Sequence, residues 1–560
     1  MVQRPSFQHD GGAGAVTHKR IILAGVLFVA AFTVIAGRMI QLMGFEGEQD
    51  VRRNFAAPAP SAMAARADIV DRHGRQLATD LSVFTLYADA ANVWDAGETV
   101  RALLGIFPEL DGPALEARIA SGRGRILIKR DLSPRQQAEV HALGMPGLSF
   151  DTEMRRVYPN GSAAAHVLGY VGTDHHGLAG IELSQDAVLG ASAEPLALAI
   201  DLRVQHVLDD ELAKSMAEFQ AIGAAGIVMD VHSGEVVAMS SLPVFDPNNI
   251  GASPPEARFN SATLGVFEMG STFKAFNTAM ALDSGLIKID DRFDARHPIP
   301  FGRFQIRDFH PQARWLTVSE IFEHSSNIGS ARMAMVLGVD HQRQFLSSLG
   351  LLEPTRLEIP ENGRPLAPAN WSELSMMTIS YGHGMSVSPL HTAAAISAMV
   401  NGGFYVDPTI LRREPGSVLP RRRVISDETS AEMRRLMRLV VEQGTGSKAD
   451  VEGYPVGGKT GTAEKPSNGG YARKALISSF VGVFPADAPE YLVFVMLDEP
   501  QPTPETFGYA TAGWTAAPTT SHIVARIGPL LGIAPRRAPR DDDEHADAQG
   551  TGVAAMGEER

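Results

Sequence analysis

The sequence of 560 residues contains no cysteine. That absence removes a disulfide framework, a thiolate metal site and a cysteine nucleophile together. None of the 17 histidines falls in a His-Glu-x-x-His run or a similar ligand cluster, so neither a metal nor a cofactor is expected. A basic face is missing too. The formal net charge is −14, which argues against a nucleic-acid partner. No internal repeat at solenoid or propeller periods is present. What remains is ordinary globular material, 44% hydrophobic and 20% charged. The length suggests three or four packing units, or fewer if one is large.

One long uncharged run stands out. Ile21 to Gly37 carries no charge, and apolar character continues past Arg38 through Met39, Ile40, Leu42, Met43 and Phe45. A helix needs about 20 mostly apolar residues to cross the hydrocarbon core. Arg38 lies near one end, from where its side chain reaches the headgroups. A secretory signal has a shorter apolar region of roughly 7–15 residues, and no small-x-small cleavage site follows here. A single permanent membrane helix over 20–43 is therefore expected. Lys19 and Arg20 precede it, but Arg38, Arg52 and Arg53 follow it, so charge alone leaves the orientation nearly balanced.

After the helix, Ala56 to Ala65 reads as a Pro/Ala linker. Short strand-like runs then alternate with helical stretches to about Pro195. Leu196 to Asp201 reads as a strand, and Arg203 to Phe219 as an amphipathic helix with Val204, Val207, Leu208 and Leu212 at helical spacing. Gly226 to Val231 and Glu235 to Ser240 form a hairpin pattern. Leu476 to Phe484 and Tyr491 to Leu497 are two more strong strands. Strands at both ends with helices between them predict an α+β unit, an antiparallel sheet covered by helices. The last stretch, from Pro535, has a basic cluster, an acidic cluster and small residues, and is expected to be a tail without a core.

Three short motifs carry chemistry. Ser271-Thr272-Phe273-Lys274 lies where Phe273, Phe276 and Met280 follow helical spacing. Ser271 and Lys274, at i and i+3, share one helix face. A serine hydroxyl is a poor nucleophile until a neighbour takes its proton, and a lysine does so when its pKa is lowered. Ser325-Ser326-Asn327 follows a capping-box helix that starts at Thr317-Val318-Ser319-Glu320. A hydroxyl there can relay a proton, and an amide can hold a peptide group. Lys459-Thr460-Gly461-Thr462 reads as an edge strand whose glycines permit close approach of a ligand, with Lys459 and the threonine hydroxyls suited to a carboxylate. Each motif alone is weak: Ser-x-x-Lys is a chance-level match, and Ser-Ser-Asn fits any helix–helix turn.

Gly453 to Thr460 also matches a phosphate-loop pattern. Such a loop follows a buried strand and opens a helix. Here no apolar strand precedes it, and Pro466 blocks a long helix after it.

The order and spacing of the three motifs resemble those of penicillin-binding proteins and serine β-lactamases. Outside its two ends the chain resembles the class B penicillin-binding proteins. Arg66 to Gly74, Arg156-Val157-Tyr158-Pro159 and Gly180-Ile181-Glu182 look like that class's pedestal motifs, with Ala67 where the family usually has Gly. These read as structural. Ser380-Tyr381-Gly382-His383-Gly384, Gly458 to Lys465 and Thr511 to Pro518 lean to the septal, FtsI-like branch.

The resemblance implies the following organisation: a cytoplasmic tail over 1–19, a transmembrane helix over 20–43, a pedestal over 44–195, a transpeptidase domain over 196–535 and a tail over 536–560. It implies a peptidoglycan stem peptide ending in D-Ala-D-Ala as donor, attacked by Ser271 with Lys274 as base. Ser325 would relay a proton to the departing amine. Asn327 would bind the stem peptide, and Lys459, Thr460, Gly461 and Thr462 the terminal carboxylate region. Backbone N–H groups of Ser271 and Thr462 would form the oxyanion hole. An amine of a second stem would accept the acyl group, and β-lactams would mimic the donor. The implied partners are membrane lipid, a septal SEDS-type glycosyltransferase and other division membrane proteins. The implied location is the division site, with the catalytic domain outside the plasma membrane. The alternatives are an elongation-type transpeptidase, a D,D-carboxypeptidase or β-lactamase, and a β-lactam-binding sensor that keeps the fold without turnover.

Overall fold

The structure is a computed structural model that describes residues 65–536 except 303, 415, 468 and 469, with a few positions between 26 and 36. The membrane helix expected over 20–43 lies outside the described residues apart from those positions, and so does the expected tail beyond Arg536. Among the described residues no helix is long and apolar enough to cross a membrane. The chain divides into two compact units. One contains Val83–Met154, and the other contains Ala65–Ser82 together with the residues from Arg155 onward.

In the first unit, helices Ala96–Ile106, Gly112–Ala120 and Pro134–Ala142 each begin on a side-chain cap. Asp95, Asp111 and Ser133 accept from the N–H groups of Glu98, Ala114 and Gln136, which satisfies donors that the first helical turn leaves unpaired. The unit's core is Leu86, Leu103, Phe107, Ile119 and Ile126.

The second unit gathers the three pedestal-type stretches on one buried carboxylate. Glu182 accepts from Arg66 Nη2 at 2.9 Å and from Arg156 Nε at 2.7 Å. Arg156 also reaches Asp80, which in turn accepts the N–H of Arg66. The structural reading of these motifs therefore has a concrete form: two guanidinium groups share one carboxylate away from water, where losing either sign would leave an unpaired charge.

Five strands of this unit form one antiparallel sheet: β1 (Gly223–Asp230), β2 (Val236–Leu242), β3 (Gly457–Ser467), β4 (Gly470–Phe484) and β5 (Tyr491–Asp498). Their order across the sheet is β3-β4-β5-β1-β2. The sheet's first and last strands in sequence thus meet in mid-sheet, where β5 pairs with β1, and β3 is left at an edge. Pro466 is tolerated in β3 because an edge strand has one side with no ladder to feed. The principal helices are α1 (Leu202–Glu218), α2 (Phe273–Asp283), α3 (Val318–Glu323), α4 (Asn327–Leu337), α5 (Pro389–Val400), α6 (Asp427–Glu442) and α7 (Ala516–Leu530).

The central strands are apolar on both faces because both are covered. Leu208 and Leu212 of α1 and Ile523 and Ile527 of α7 pack with Val228, Val493 and Val495. Phe276 and Met280 of α2, Ile396 of α5 and Met433 of α6 pack with Ile227, Met229, Phe494 and Met496. The helix-covered antiparallel sheet read from the sequence is present. Two details differ. Leu196 to Asp201 is strand only at Leu196–Ala197, since Asp201 is taken up as the N-cap of α1. Strand β4 starts at Gly470 rather than Leu476, because the ladder to β3 continues through Ala472 opposite Lys465.

Candidate active site

Ser271 sits in a tight turn, Gly270–Thr272, that leads straight into α2. Lys274 is one turn on, buried, and its Nζ lies 2.8 Å from Ser271 Oγ. Helix α2 holds this pair because its other side is a core face, where Phe273 and Phe276 meet edge to face at 5.0 Å.

The Ser-Ser-Asn turn lies between α3 and α4. The capping box read from the sequence is formed: Thr317 Oγ1 accepts the N–H of Glu320, and Glu320 accepts the N–H of Thr317. Ser325 then takes a left-handed backbone, φ 57°, and Ser326 caps α4. This turn delivers three acceptors to Lys274 Nζ: the Ser325 carbonyl at 2.8 Å, Ser325 Oγ at 3.0 Å and Asn327 Oδ1 at 2.7 Å. The Asn327 amide is oriented by its Nδ2, which donates to the Arg307 carbonyl at 2.9 Å.

These partners are compatible with a neutral amine. A neutral amine has two N–H groups and a lone pair. The Ser325 carbonyl and Asn327 Oδ1 only accept. With an N–H on each, the lone pair is left for a hydroxyl, and that of Ser271 is in reach. The electrostatics agree. Burial, then the nearby charge of Lys459, drive the Lys274 pKa well below the ordinary lysine range, with Asp308 opposing.

Strand β3 forms the other side. Alternation along a strand puts Lys459 and Gly461 on one face and Thr460 and Thr462 on the other. Lys459 is fully buried, and its Nζ donates to Ser325 Oγ at 3.1 Å over the ring of Phe322. Burial pushes its pKa down to about 7. A Cβ at Gly461 would lie 2.4 Å from Thr272 Oγ1, and one at Gly270 would lie 2.6 Å from the Thr462 carbonyl oxygen. The strand and the serine turn are thus in backbone contact, which only glycine at these positions allows.

The structure therefore brings Ser271, Lys274, Ser325, Asn327 and Lys459 into one hydrogen-bonded cluster. The threonine hydroxyls are not part of it. Thr460 Oγ1 is 2.7 Å from Thr445 Oγ1, and Thr462 Oγ1 accepts the N–H of Ala512 at 3.1 Å.

Sequence reasoning missed three contributors. Asp308 accepts the Ser326 hydroxyl at 2.8 Å and the Ile328 N–H at 2.9 Å, so one carboxylate pins the whole Ser-Ser-Asn turn. Thr445 flanks the edge strand. Gly382, with φ 88°, lies against the serine turn so closely that a Cβ would be 1.9 Å from the Gly270 carbonyl oxygen. Gly382 stood in a stretch quoted for its resemblance; Asp308 and Thr445 had no local pattern at all. Among the described residues no cluster of three His, Cys, Asp or Glu side chains could hold a metal.

Known proteins match this arrangement. The penicillin binding protein transpeptidase domain family matches residues 224–524, and the penicillin-binding protein dimerisation domain family matches residues 61–194. A protein of Caulobacter vibrioides named "Probable peptidoglycan D,D-transpeptidase FtsI" is 42% identical over 489 residues, 85% of this chain and 83% of its own length. The "Peptidoglycan D,D-transpeptidase FtsI" of Escherichia coli K12 is 28% identical over 98% of both chains. The crystal structure of penicillin binding protein 3 from Mycobacterium tuberculosis, complexed with aztreonam, superposes with a TM-score of 0.67 at 24% identity. That superposition covers 85% of this chain and 98% of the other, and it bears on the fold.

Proposed function

This chain belongs to the penicillin-binding proteins, and from that premise we propose that it is a septal peptidoglycan D,D-transpeptidase of the FtsI type. The observation that carries the reading is the single buried Lys274 amine, 2.8 Å from Ser271 Oγ and 3.0 Å from Ser325 Oγ. One hydroxyl is placed to lose a proton to the amine and the other to pass one onward.

These contacts support the following reaction. Ser271 Oγ attacks the carbonyl between the two D-alanines of a donor stem as its proton goes to Lys274. Backbone N–H groups of Ser271 and Thr462 stabilise the oxyanion, a contribution of about 2.7–4 kcal/mol per donor in related chemistry. The C–N bond breaks as Ser325 delivers a proton to the departing D-Ala, and Ser325 is resupplied from Lys274. Asn327 holds the stem peptide. Lys459, Thr460, Gly461 and Thr462 receive the terminal carboxylate region, with the open side of β3 available to a substrate strand. An amine of a second stem then attacks the acyl-Ser271 ester and forms the cross-link. A β-lactam in the donor's place leaves an acyl-serine.

The test is covalent labelling by a fluorescent penicillin. The wild type should label and Ser271→Ala should not, with both giving the same far-UV circular dichroism. A folded wild type that does not label would refute the reading. Cross-linked product measured against released acid separates transfer from hydrolysis. The same proposal includes a membrane anchor over 20–43, residues 1–19 in the cytoplasm, a pedestal over 44–195, and a catalytic domain over 196–535 outside the plasma membrane. It also places the protein at the division site beside a SEDS-type glycosyltransferase. Depletion should give filamentous cells; rounded cells would assign it to elongation instead.

A further inference from the structure

The sequence holds one uninterrupted run of three basic residues, Arg421 to Arg423, and one of four acidic residues, Asp541 to Glu544. Neither has a part in the site described above. Strand Arg421–Arg423 pairs antiparallel with Phe404–Val406 as a two-stranded ribbon, with Arg423 opposite Phe404 and Arg422 opposite Tyr405. All three arginines are exposed. Arg421 and Arg423 stand over the ring of Phe404, at 4.4 and 4.2 Å from its centre, and Arg422 stands over Tyr405 at 4.2 Å. Arg422 donates from Nε and Nη2 to the Ser348 carbonyl at 3.0 and 2.7 Å. Arg423 donates from Nη1 to the carbonyls of Gly402 and Ile425, both at 3.1 Å.

Rings and carbonyls hold a guanidinium in place without cancelling its charge. Among the described residues no carboxylate pairs with any of the three. The carboxylates nearby have other roles. Asp407 lies 3.9 Å from Arg356, and Asp427 and Glu428 sit in the first turn of α6, where the helix dipole favours them. In a chain with a formal net charge of −14, a fixed row of uncancelled positive charges suits an acidic segment, because carboxylate and guanidinium pair through two parallel hydrogen bonds. The last described residue lies beside the helix that follows this ribbon. The Arg536 N–H donates to the Gly453 carbonyl at 2.8 Å, and its guanidinium lies 2.7 Å from Asp487. Asp487 shares with Ala431, Glu432 and Arg435 the wall of a groove along α6, and α6 begins at Asp427, shortly after the ribbon. The helix between the levels of Arg435 and Asp427 is about 12 Å long. The chain from Arg536 to Glu544 spans up to about 27 Å when extended, so the acidic run has the reach to meet the ribbon.

We propose that the acidic run Asp541–Glu544 docks on the Arg421–Arg423 ribbon of the same chain, its carboxylates pairing with the three guanidinium groups. Each pair is exposed, so each is weak alone and sensitive to salt. Two features strengthen the set. The arginines are already positioned, which lowers the ordering cost, and the short tether from Arg536 makes docking intramolecular, at a high effective concentration. Arg421 has no hydrogen bond of its own among the described residues, so its guanidinium is the most open to a new partner. Docking returns the last part of the chain to the unit that carries Ser271 and covers the basic ribbon against other anions.

The chain has no cysteine, so spin labels attach only where cysteines are introduced. The test uses the full-length protein in detergent with Val418→Cys, an exposed site just before the ribbon, and Ala546→Cys, read by double electron–electron resonance. A short-distance population is expected. It should fall about fivefold between about 0.05 M and about 0.5 M NaCl, as the Debye length shrinks to about 4 Å. It should be lost when Asp541, Asp542, Asp543 and Glu544 are all changed to Ser, and reduced in Arg421→Glu. Far-UV circular dichroism checks that both variants fold, and the serine changes leave every residue of the ribbon in place. A broad distribution in the otherwise unchanged chain would overturn the proposal. So would a short-distance population indifferent to salt or to the serine changes. Short distances in a mixture of singly labelled chains would overturn it too, since the occupant would then be a second copy.

Discussion

Lys274 and Lys459 share the hydroxyl of Ser325, which lies 3.0 Å from one amine and 3.1 Å from the other. Two buried lysines cannot both hold a proton cheaply at that separation. Acylation needs Lys274 neutral, so its rate should rise with pH through the depressed Lys274 pKa and then level off. Lys459→Met removes the neighbouring cation that lowers that pKa. The rising limb should therefore move to higher pH, as read from penicillin acylation rates across a pH series. A limb that stays in place would show that the two amines do not interact.

The same substitution should change stability. In the folded protein Lys459 titrates near 7, whereas in the unfolded chain it titrates in the ordinary lysine range. Between these values the unfolded chain binds the extra proton, so stability rises with pH through that window. Below it both states are charged and the folded state bears the full burial cost. Lys459→Met should unfold at higher temperature than wild type at pH 7 and below, with a flatter dependence above. Thermal melts across that range test this directly.

Asp308 gives a shift of the opposite sign. Asp308→Ala leaves the Ser326 hydroxyl and the Ile328 N–H without their acceptor, at about 1–3 kcal/mol for each group left unsatisfied. Asp308→Asn keeps one acceptor and should cost less. Both remove the carboxylate that raises the Lys274 pKa, so the rising limb should move to lower pH. Denaturant melts and pH–acylation profiles of the two variants separate these effects.

Gly382→Ala should damage the nucleophile without touching it. Its backbone is left-handed, which costs about 1–2 kcal/mol for a residue with a Cβ. The new Cβ would also sit 1.9 Å from the Gly270 carbonyl oxygen. The serine turn has to shift, and a displacement of about 1 Å is worth about 100-fold in rate. Penicillin acylation should fall by that order while the protein stays folded. A rate near wild type would mean that the loop yields instead.

Glu182 should behave in the reverse way. It binds Arg66 and Arg156 out of contact with water. Glu182→Ala should destabilise the chain by about 3–5 kcal/mol, the range for removing one partner of a buried ion pair. The folded fraction should still take up penicillin at the wild-type rate. An acylation defect in a fully folded variant would contradict the structural role given to this network.

The sequence made some of this legible and hid the rest for physical reasons. Ser271 and Lys274 were readable because three residues of helix fix their relation locally. The capping box at Thr317 and Glu320 was readable on the same ground. The sheet's apolar strands announced themselves by composition, but β4 did not show its start, because Gly470 to Ala472 pair through backbone ahead of a bulge and carry no apolar pattern. Asp308 was invisible: its partners are 18 and 20 residues away, and an aspartate in a loop looks like any turn residue. The threonine hydroxyls were read as facing a carboxylate, yet here they bond to Thr445 and to the Ala512 backbone, neighbours that only the fold supplies.

The isolation of Lys459 has one more consequence. Among the described residues its nitrogen touches a hydroxyl and a carbonyl and no carboxylate, and it titrates near neutrality. A donor that brings a carboxylate toward β3 would favour the charged form and raise that pKa. Recognition and protonation then become one event. Near pH 7 the complex should draw part of a proton from solution as it forms, so the measured heat of binding should vary with the ionisation enthalpy of the buffer.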